Sequence, residues 1–233
     1  MESSPVSSES AIAPAWHTIA VLLVVLGVSL VGARIELPAI FAGHGRVARY
    51  LIAMFVEWAT VALIWWGLSR RGIRLSDLIG GSWARRVHIL RDLGIGIAFV
   101  VIFGFGVTQV LSHLLQAVQP PTVRALMPQT PFEMILWVLL AATGGFCEEV
   151  IFRGYLQRQF SVLTRSIVGG ILLQAIAFGL SHGYQGWRLM SVITVYGACF
   201  GWLAHWRRSL RPGMLGHAFQ DATVGLLARF LLR

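Results

Sequence analysis

Seven runs of apolar residues, each near 20 residues long, constrain the fold of this chain more than any other feature. A helix needs about 20 apolar residues to cross a bilayer. Composition agrees, because 56% of the residues are hydrophobic and 12% are charged, against about 25% charged in soluble domains. We therefore predict an all-α, polytopic bundle of transmembrane helices with about seven or eight spans. The predicted spans are 16–33, 50–68, 93–118, 132–157, 166–182, 187–206 and 213–232.

The domain organisation predicted from these runs is simple. Residues 1–15 are expected to form a disordered tail, and residues 16–233 a single membrane domain. The tail is rich in serine and has no basic residue ahead of the first apolar run, so it does not resemble a signal peptide. No long-period repeat and no linker divides the remainder into two folded units.

All nineteen basic side chains other than histidine are arginine. In a membrane protein arginine indicates topology and contact with the lipid bilayer, so no nucleic-acid partner is expected. With seven spans, and with Arg153 left out because it lies inside one of them, eleven arginines fall on the side of the N-terminus and seven on the other. The positive-inside rule then places the N-terminus and the loop 69–92 in the cytoplasm. That loop is either an amphipathic segment on the lipid headgroups or a solvated linker.

Three charged residues lie deep inside the fourth span, away from its ends, namely Glu148, Glu149 and Arg153. A charge at this depth costs at least roughly 2.5 kcal/mol unless it is paired or lines a wet cavity. Because residues four apart share a helix face, Glu149 and Arg153 are predicted to form a structural ion pair. Glu148 points about 100° away and is left as the reactive carboxylate. Glu57, in the second span, is expected to have a hydrogen-bonded packing role rather than a place on a polar interior path.

Two more polar pairs occur at four-residue spacing inside apolar spans: Phe178 with His182, and His217 with Asp221. Each spacing places both members of the pair on one helix face. A turn centred near residue 163 would put Glu148 and His182 within roughly 6 Å of each other in height. The sequence therefore predicts that Glu148 and His182 can meet inside the bundle. His217 follows Pro212 closely and is expected nearer the cytoplasmic boundary, and its height agrees best with theirs if the hairpin after the fourth span projects beyond the bilayer.

The chain resembles the CPBP family, the CAAX-prenyl-endopeptidase and bacteriocin-processing intramembrane proteases that are also called Abi. The resemblance covers the C-terminal half and indicates a protease core at about 132–232. Asp221 favours the bacterial branch, because bacterial members accept Asn or Asp there and eukaryotic ones have Asn. We accordingly expect an integral protein of the bacterial inner membrane. The motifs are Glu148-Glu149-x-x-x-Arg153, Phe178-x-x-x-His182 and His217-x-x-x-Asp221.

The resemblance implies an intramembrane endopeptidase that hydrolyses a peptide bond of a membrane-associated protein or peptide. It implies that Glu148 and His182 hold and deprotonate a water, while His217 and the residue at 221 polarise the carbonyl or stabilise the oxyanion. An ionised carboxylate accepts hydrogen bonds and cannot donate them to an oxyanion, so we expect Asp221 to orient His217. The supporting residues are Glu149, Arg153 and Phe178.

The sequence also allows alternatives to this water-activation chemistry. Glu148, His182 and His217 are also a ligand set for zinc or another divalent metal, although no H-E-x-x-H is present, and we favour the metal-free version. Serine chemistry is not expected, because no G-x-S-x-G occurs and Ser181 is predicted to point away from the site. Outside proteolysis, the alternatives are a non-catalytic immunity or scaffold membrane protein, or a small proton-coupled transporter.

Overall fold

The structure, a computed structural model, describes residues 11–32 and 45–231, and the regular elements of these residues are helical. The predicted all-α fold class is confirmed. One isolated antiparallel bridge joins Gly80 to Ser209. The helices are α1 (Ala15–Gly32), α2 (Gly45–Ser69), α3 (Leu75–Ile79), α4 (Arg86–Phe99), α5 (Thr108–Leu114), α6 (Pro121–Arg124), α7 (Pro131–Glu148), α8 (Gln157–Thr164), α9 (Ile167–Ser181), α10 (Trp187–Arg207) and α11 (Arg211–Leu231), with π-helical stretches Val100–Val107 and Glu149–Leu156 and a 3₁₀ turn Gly183–Gln185.

Each of the seven predicted spans falls on a helix in this order. Among the described residues, four helices are long and apolar enough to cross a membrane. α1 and α9 are apolar but shorter, and they remain predicted spans together with α11. An integral membrane bundle is thus supported, while the full count of seven stays a prediction. The four spans are Gly45–Ser69, Arg86–Leu114, Pro131–Thr164 and Trp187–Arg207.

Three arginine-bearing loops and the first described residues meet at one end of the bundle, here called the arginine-rich end. Arg71 Nη1 donates to the carbonyl oxygen of Ala11 at 3.3 Å, which joins the loop after α2 to the start of the chain. Arg158 Nη2 donates to the carbonyl oxygen of Asp77 at 2.9 Å, which joins the α8 hairpin to the same loop. The arginine-rich end comprises residues 11–14, 69–85, 157–166 and 207–211.

Residues 11–14, which the predicted tail included, are packed against the arginine-rich end. Gln159 Nε2 donates to the carbonyl oxygen of Ala13 at 2.9 Å, and Gln159 Oε1 accepts from the backbone N–H of Ile12 at 2.9 Å. Ala13 is fully buried. The packed chain therefore begins earlier than the sequence predicted, because one buried glutamine satisfies the backbone of a short apolar stretch. Residues 1–10 lie outside the described part of the chain.

The loop 69–92 is neither a continuous amphipathic helix nor a simple solvated linker. Its helix α3 has five residues and ends where Gly80 and Gly81 adopt φ values of +63° and +65°. Such values are the left-handed region that favours glycine. Leu78 is buried and faces Gly154, where a methyl group would lie 3.4 Å from the Leu78 Cβ. Part of the loop thus caps the end of the helix bundle.

The hairpin of α7, α8 and α9 carries most of the predicted motifs. α7 begins with Thr130 as N-cap, whose side chain accepts from the backbone N–H of Glu133, and with Pro131 at the first helical position. The chain reverses at Arg165, which has the left-handed φ of 52°. Glu148 and His182 each lie seventeen residues from Arg165, so the two arms bring them to nearly the same height.

α11 lies between α7 and α4 at glycine contacts on both sides. A methyl group at Gly145 would lie 2.7 Å from the Ala218 Cβ, and one at Gly96 would lie 3.0 Å from the backbone nitrogen of Gly216. Small residues of this kind let helix backbones approach closely inside a membrane. The contact with α7 fixes the height at which His217, one residue before Ala218, faces the carboxylates of α7.

Candidate active site

Glu148 is the last residue of α7 and is mostly enclosed by the bundle. Its Oε2 lies 3.5 Å from His217 Nε2. Within the described residues this oxygen has no hydrogen-bond partner. A buried carboxylate oxygen without a hydrogen bond is energetically costly and persists where function uses it. The reactive carboxylate predicted from the sequence therefore lies beside the histidine of the third motif.

Glu149 and Arg153 form a fully buried ion pair, with Oε1 and Nη1 3.1 Å apart. The guanidinium carbon of Arg153 lies 4.2 Å from the ring centroid of Phe178, which is a cation–π distance. Arg153 Nη2 also donates to the carbonyl oxygen of Gly197 at 3.5 Å. This pair, with the aromatic ring against it, neutralises the charge that would otherwise be isolated in the bundle.

His217 is buried, and its two ring nitrogens face different carboxylates. Nδ1 lies 3.4 Å from Glu149 Oε1, so the ion pair also holds the imidazole. A carboxylate accepts from the Nδ1 proton, which fixes the orientation of the ring. Nε2 lies 3.5 Å from Glu148 Oε2 and 3.5 Å from Asp221 Oδ2. The ring packs on Phe200 at a centroid distance of 5.2 Å.

His182 lies at the C-terminus of α9, at the edge of this cluster. Its Nδ1 is 2.9 Å from the carbonyl oxygen of Phe178, and a carbonyl only accepts, so Nδ1 carries a proton. In the neutral imidazole Nε2 is then the free acceptor. The rings of Phe178 and His182 are 4.8 Å apart at their centroids. His182 lies within electrostatic range of Asp221 but makes no ion pair with Glu148 among the described residues.

Ser181 is closer to His182 than the sequence predicted. Its Oγ lies 3.1 Å from His182 Nδ1 instead of pointing away from the histidine. The same hydroxyl donates to the carbonyl oxygen of Phe178 at 2.7 Å. The proton of Ser181 is therefore directed to the backbone, and the contact supports the orientation of His182.

Asp221 combines a fixed backbone with an accessible side chain. The indole nitrogen of Trp137 donates to its carbonyl oxygen at 2.8 Å, which attaches this turn of α11 to α7. The side chain remains 44% exposed, compared with 19% for Glu148 and 8% for His217. The site is thus open on the side of Asp221 and closed on the side of Glu149.

Glu57, for which the sequence favoured a hydrogen-bonded packing role over a place on a polar interior path, lies beside the candidate site. Its buried Oε2 has no hydrogen-bond partner among the described residues. A methyl group at Gly144 would lie 3.9 Å from this oxygen and 3.9 Å from Asp221 Oδ2. The signal was present in the sequence: a lone carboxylate inside an apolar span marks a functional site by default.

The suggested metal ligands are not brought together as one set. No group of three or more His, Cys, Asp or Glu side chains in the described parts of the chain is placed to hold a metal ion. Glu148 and His217 are close to each other, while His182 directs Nδ1 to its own helix.

Comparison with known proteins gives one match. Residues 130–223 match the family model described as type II CAAX prenyl endopeptidase Rce1-like. The matched segment begins at the N-cap of α7 and contains all three motifs. Neither the curated proteins nor the solved structures give a match.

Proposed function

Residues 130–223 belong to the type II CAAX prenyl endopeptidase Rce1-like family, and from this premise we propose that Glu148 and His182 activate the water that hydrolyses a peptide bond. Family membership and the four apolar spans support an integral membrane endopeptidase acting on a peptide or protein substrate in the membrane. The observation that carries the proposal is the unpartnered carboxylate oxygen of Glu148, 3.5 Å from a buried histidine.

Glu148 is the general base in this proposal. A base must lie within hydrogen-bond reach of the proton it removes, and Oε2 makes no hydrogen bond among the described residues, with His217 Nε2 at 3.5 Å. His182 provides the second hydrogen bond to the water through Nε2, because its Nδ1 donates to the carbonyl oxygen of Phe178. The equal heights of Glu148 and His182 on the hairpin support this assignment.

His217 stabilises the oxyanion in this proposal. Peptide hydrolysis places negative charge on the carbonyl oxygen, and a preorganised donor at that position lowers the barrier. Glu149 accepts from the Nδ1 proton and orients the ring, and in the imidazolium form a second proton on Nε2 is donated to the substrate. Asp221 has an orienting role, since its Oδ2 lies 3.5 Å from Nε2 on the open side of the site.

The experiment that tests this function compares wild type with Glu148→Gln in proteoliposomes. The probe is a quenched fluorogenic peptide with a farnesylated cysteine followed by three residues, alongside the same peptide without the farnesyl group. We expect wild type to cleave at least one probe and Glu148→Gln to lose about 10²- to 10⁴-fold, the range for general acid–base catalysis. Near-wild-type turnover by Glu148→Gln would remove Glu148 from the mechanism. A preference for the farnesylated probe assigns prenylated proteins to the substrates.

We also propose that the reaction needs no metal. Purified protein should then contain no stoichiometric divalent ion by elemental analysis, and a strong chelator should leave turnover unchanged. His182→Ala should still be severely impaired, because the water loses its second anchor, whereas Ser181→Ala should retain most activity. Close to one equivalent of metal, lost and regained together with activity, would overturn this proposal.

The arginine-rich end supports a topology with the N-terminus in the cytoplasm. Residues 11–14 share that end with three arginine-bearing loops, as the positive-inside rule requires of cytoplasmic segments. We propose that the protein resides in a bacterial inner membrane in this orientation. Labelling of cysteines introduced one at a time at Ser82 and Gln129, in protein whose Cys147 and Cys199 are replaced by alanine, tests the orientation with a membrane-impermeant reagent, since only Gln129→Cys should react from outside.

A further inference from the structure

Glu57 enters the candidate active site from a helix outside the matched family segment. α2 packs along α7, where Trp58 stacks on Phe146 at a centroid distance of 5.3 Å. One residue before Trp58, the buried Oε2 of Glu57 lies over Gly144, 3.9 Å from where a methyl group on that glycine would be. Gly144 is one helical turn, about 6 Å, before Glu148 on the same face of α7.

The charges around this face do not balance if every carboxyl group is ionised. Glu149 is neutralised by Arg153 at 3.1 Å. Glu148 and Asp221 share a single cation, His217 Nε2. Glu57 lies within electrostatic range of Glu148, His217 and Asp221, but it makes no ion pair among the described residues.

An unpaired carboxylate in a poorly hydrated bundle beside other carboxylates is strongly disfavoured, so one of the three groups retains a proton. Glu148 and Asp221 each have the histidine at 3.5 Å to stabilise the ionised form. Glu57 has no such partner in the described parts of the chain, and it is therefore the group that keeps the proton. Two carboxyl groups in different environments commonly divide into an acid and a base in this way.

We propose that Glu57 is a catalytic residue, the general acid that protonates the leaving amine, with Glu148 as the base. This assignment rests on the proposed function. The scissile bond then lies along the α7 face between Gly144 and Glu148. Glu57 reaches its nitrogen side and Glu148 its water side.

The proton balance of the step is complete. Glu148 takes one proton of the water, and the remaining hydroxide oxygen bonds to the carbonyl carbon. When the C–N bond breaks, its electron pair stays on nitrogen, which takes the proton of Glu57. The products are a carboxylic acid and an amine. Glu148 then carries the extra proton, and its transfer to Glu57 through water restores the starting state.

The test uses two substrates that differ in their need for an acid. The first is the peptide that wild-type protein cleaves in proteoliposomes, and the second is the nitrophenyl ester of the same acyl segment. Glu57→Gln keeps the shape of the side chain but cannot give up a proton. We expect it to lose about 10²- to 10⁴-fold on the peptide and to stay within about threefold of wild type on the ester, because nitrophenolate leaves unprotonated.

The matched variant Glu148→Gln should lose activity on both substrates, because each requires an activated water. Full peptide turnover by Glu57→Gln, with Glu148→Gln inactive, would overturn the role of Glu57 and leave the proposed function standing. Equal losses on peptide and ester by Glu57→Gln would mean that Glu57 acts through the fold, and this also overturns the role. Peptide turnover by Glu148→Gln would instead overturn the proposed function.

If Glu57→Gln does not elute as a monodisperse species in detergent, a second pair of variants replaces it in the test. Glu57→Asp and Glu57→Asn have the same shape, and only the first can donate a proton. Peptide turnover at least tenfold faster in Glu57→Asp, with equal ester turnover in the two variants, supports the acid. Equal peptide turnover in the two variants contradicts it.

Discussion

Two neighbouring faces of α7 each have a glycine followed four residues later by a glutamate, but one face borders the candidate site and the other packs against the bundle. On one face, Gly144 and Glu148 border an open site, where a methyl group at Gly144 would only touch two carboxylates at 3.9 Å. On the next, Gly145 and Glu149 are closed against the bundle, and a methyl group at Gly145 would lie 2.7 Å from the Met214 carbonyl oxygen. A rotation of about 100° along the helix separates the reactive face from the structural one.

The contrast between the Glu149 face and the Glu148 face explains how a carboxylate can remain reactive inside a helix bundle. The Glu149 face supplies the pairing, burial and close packing that hold the helices together. Both Glu148 Oε2 and Glu149 Oε2 lack a hydrogen bond among the described residues, but Glu149 has the guanidinium of Arg153 at 3.1 Å, whereas Glu148 does not. His217 connects the faces by contacting one glutamate with each ring nitrogen.

The largest expected effect on folding comes from breaking the structural face. Glu149→Ala leaves Arg153 as an uncompensated buried charge, which typically costs 3–5 kcal/mol, or roughly 10²- to 10⁴-fold in the folded ratio. We expect little monodisperse protein in detergent after Glu149→Ala. Glu148→Ala, on the reactive face, should give nearly wild-type yield with no hydrolysis.

A double substitution shows whether the charge itself is the cause. Replacing both members of the pair, Glu149→Leu with Arg153→Met, removes the isolated guanidinium and should recover much of the folded yield. Hydrolysis should stay low, because His217 loses the partner of Nδ1. Equal yields for Glu149→Ala and Glu148→Ala would contradict the division between the two faces.

The next largest effect is expected at Gly145, where α7 and α11 touch. Gly145→Ala inserts a methyl group 2.7 Å from backbone atoms of Met214 and Ala218, which cannot move as a side-chain end can. Overpacking of this kind costs about 1–3 kcal/mol. The thermal midpoint in detergent should fall, and activity should fall with it as His217 shifts from Glu148. An unchanged midpoint would mean that the helix contact is looser than the structure has it.

Arg153→Lys probes the same face with the charge retained. A lysine keeps a cation near Glu149 but loses the planar guanidinium that stacks on Phe178 at 4.2 Å. We expect a loss of about 1–2 kcal/mol, the scale of a desolvated cation–π contact. The control Arg158→Lys, at the arginine-rich end, should change the midpoint less. A midpoint for Arg153→Lys equal to wild type would indicate that only the charge matters.

Local periodicity predicted the part of this comparison that lies within one helix. Four-residue spacing placed Glu149 beside Arg153, and the structure has them 3.1 Å apart even though the stretch is π-helical. The long apolar runs predicted the helices themselves, because run length and helix length are set by the same 1.5 Å rise per residue. These features depend on near neighbours in the chain.

Features that depend on how helices pack were not predictable from one sequence. Glu57 is near Gly144 only because α2 packs on α7, and no spacing rule links positions so far apart. The hydrogen bonds of Gln159 to the backbone of Ile12 and Ala13 likewise join segments that are distant in the sequence. His217 contacts both glutamates because glycines bring α11 close to α7, a detail of helix approach rather than of periodicity.

Gly144→Ala should have the smallest effect on folding and the most informative effect on activity. The added methyl group meets ordinary contacts at 3.9 Å, and alanine gains roughly 0.5–1 kcal/mol of helix propensity over glycine. The thermal midpoint should therefore stay the same or rise slightly, in contrast to Gly145→Ala. The methyl group nevertheless projects from the α7 face between Gly144 and Glu148, along which the scissile bond is proposed to lie. We expect peptide turnover to fall about tenfold or more, since misplacement by about 1 Å can cost 10²-fold. Stable protein with unchanged turnover would show that the substrate does not pass over this face.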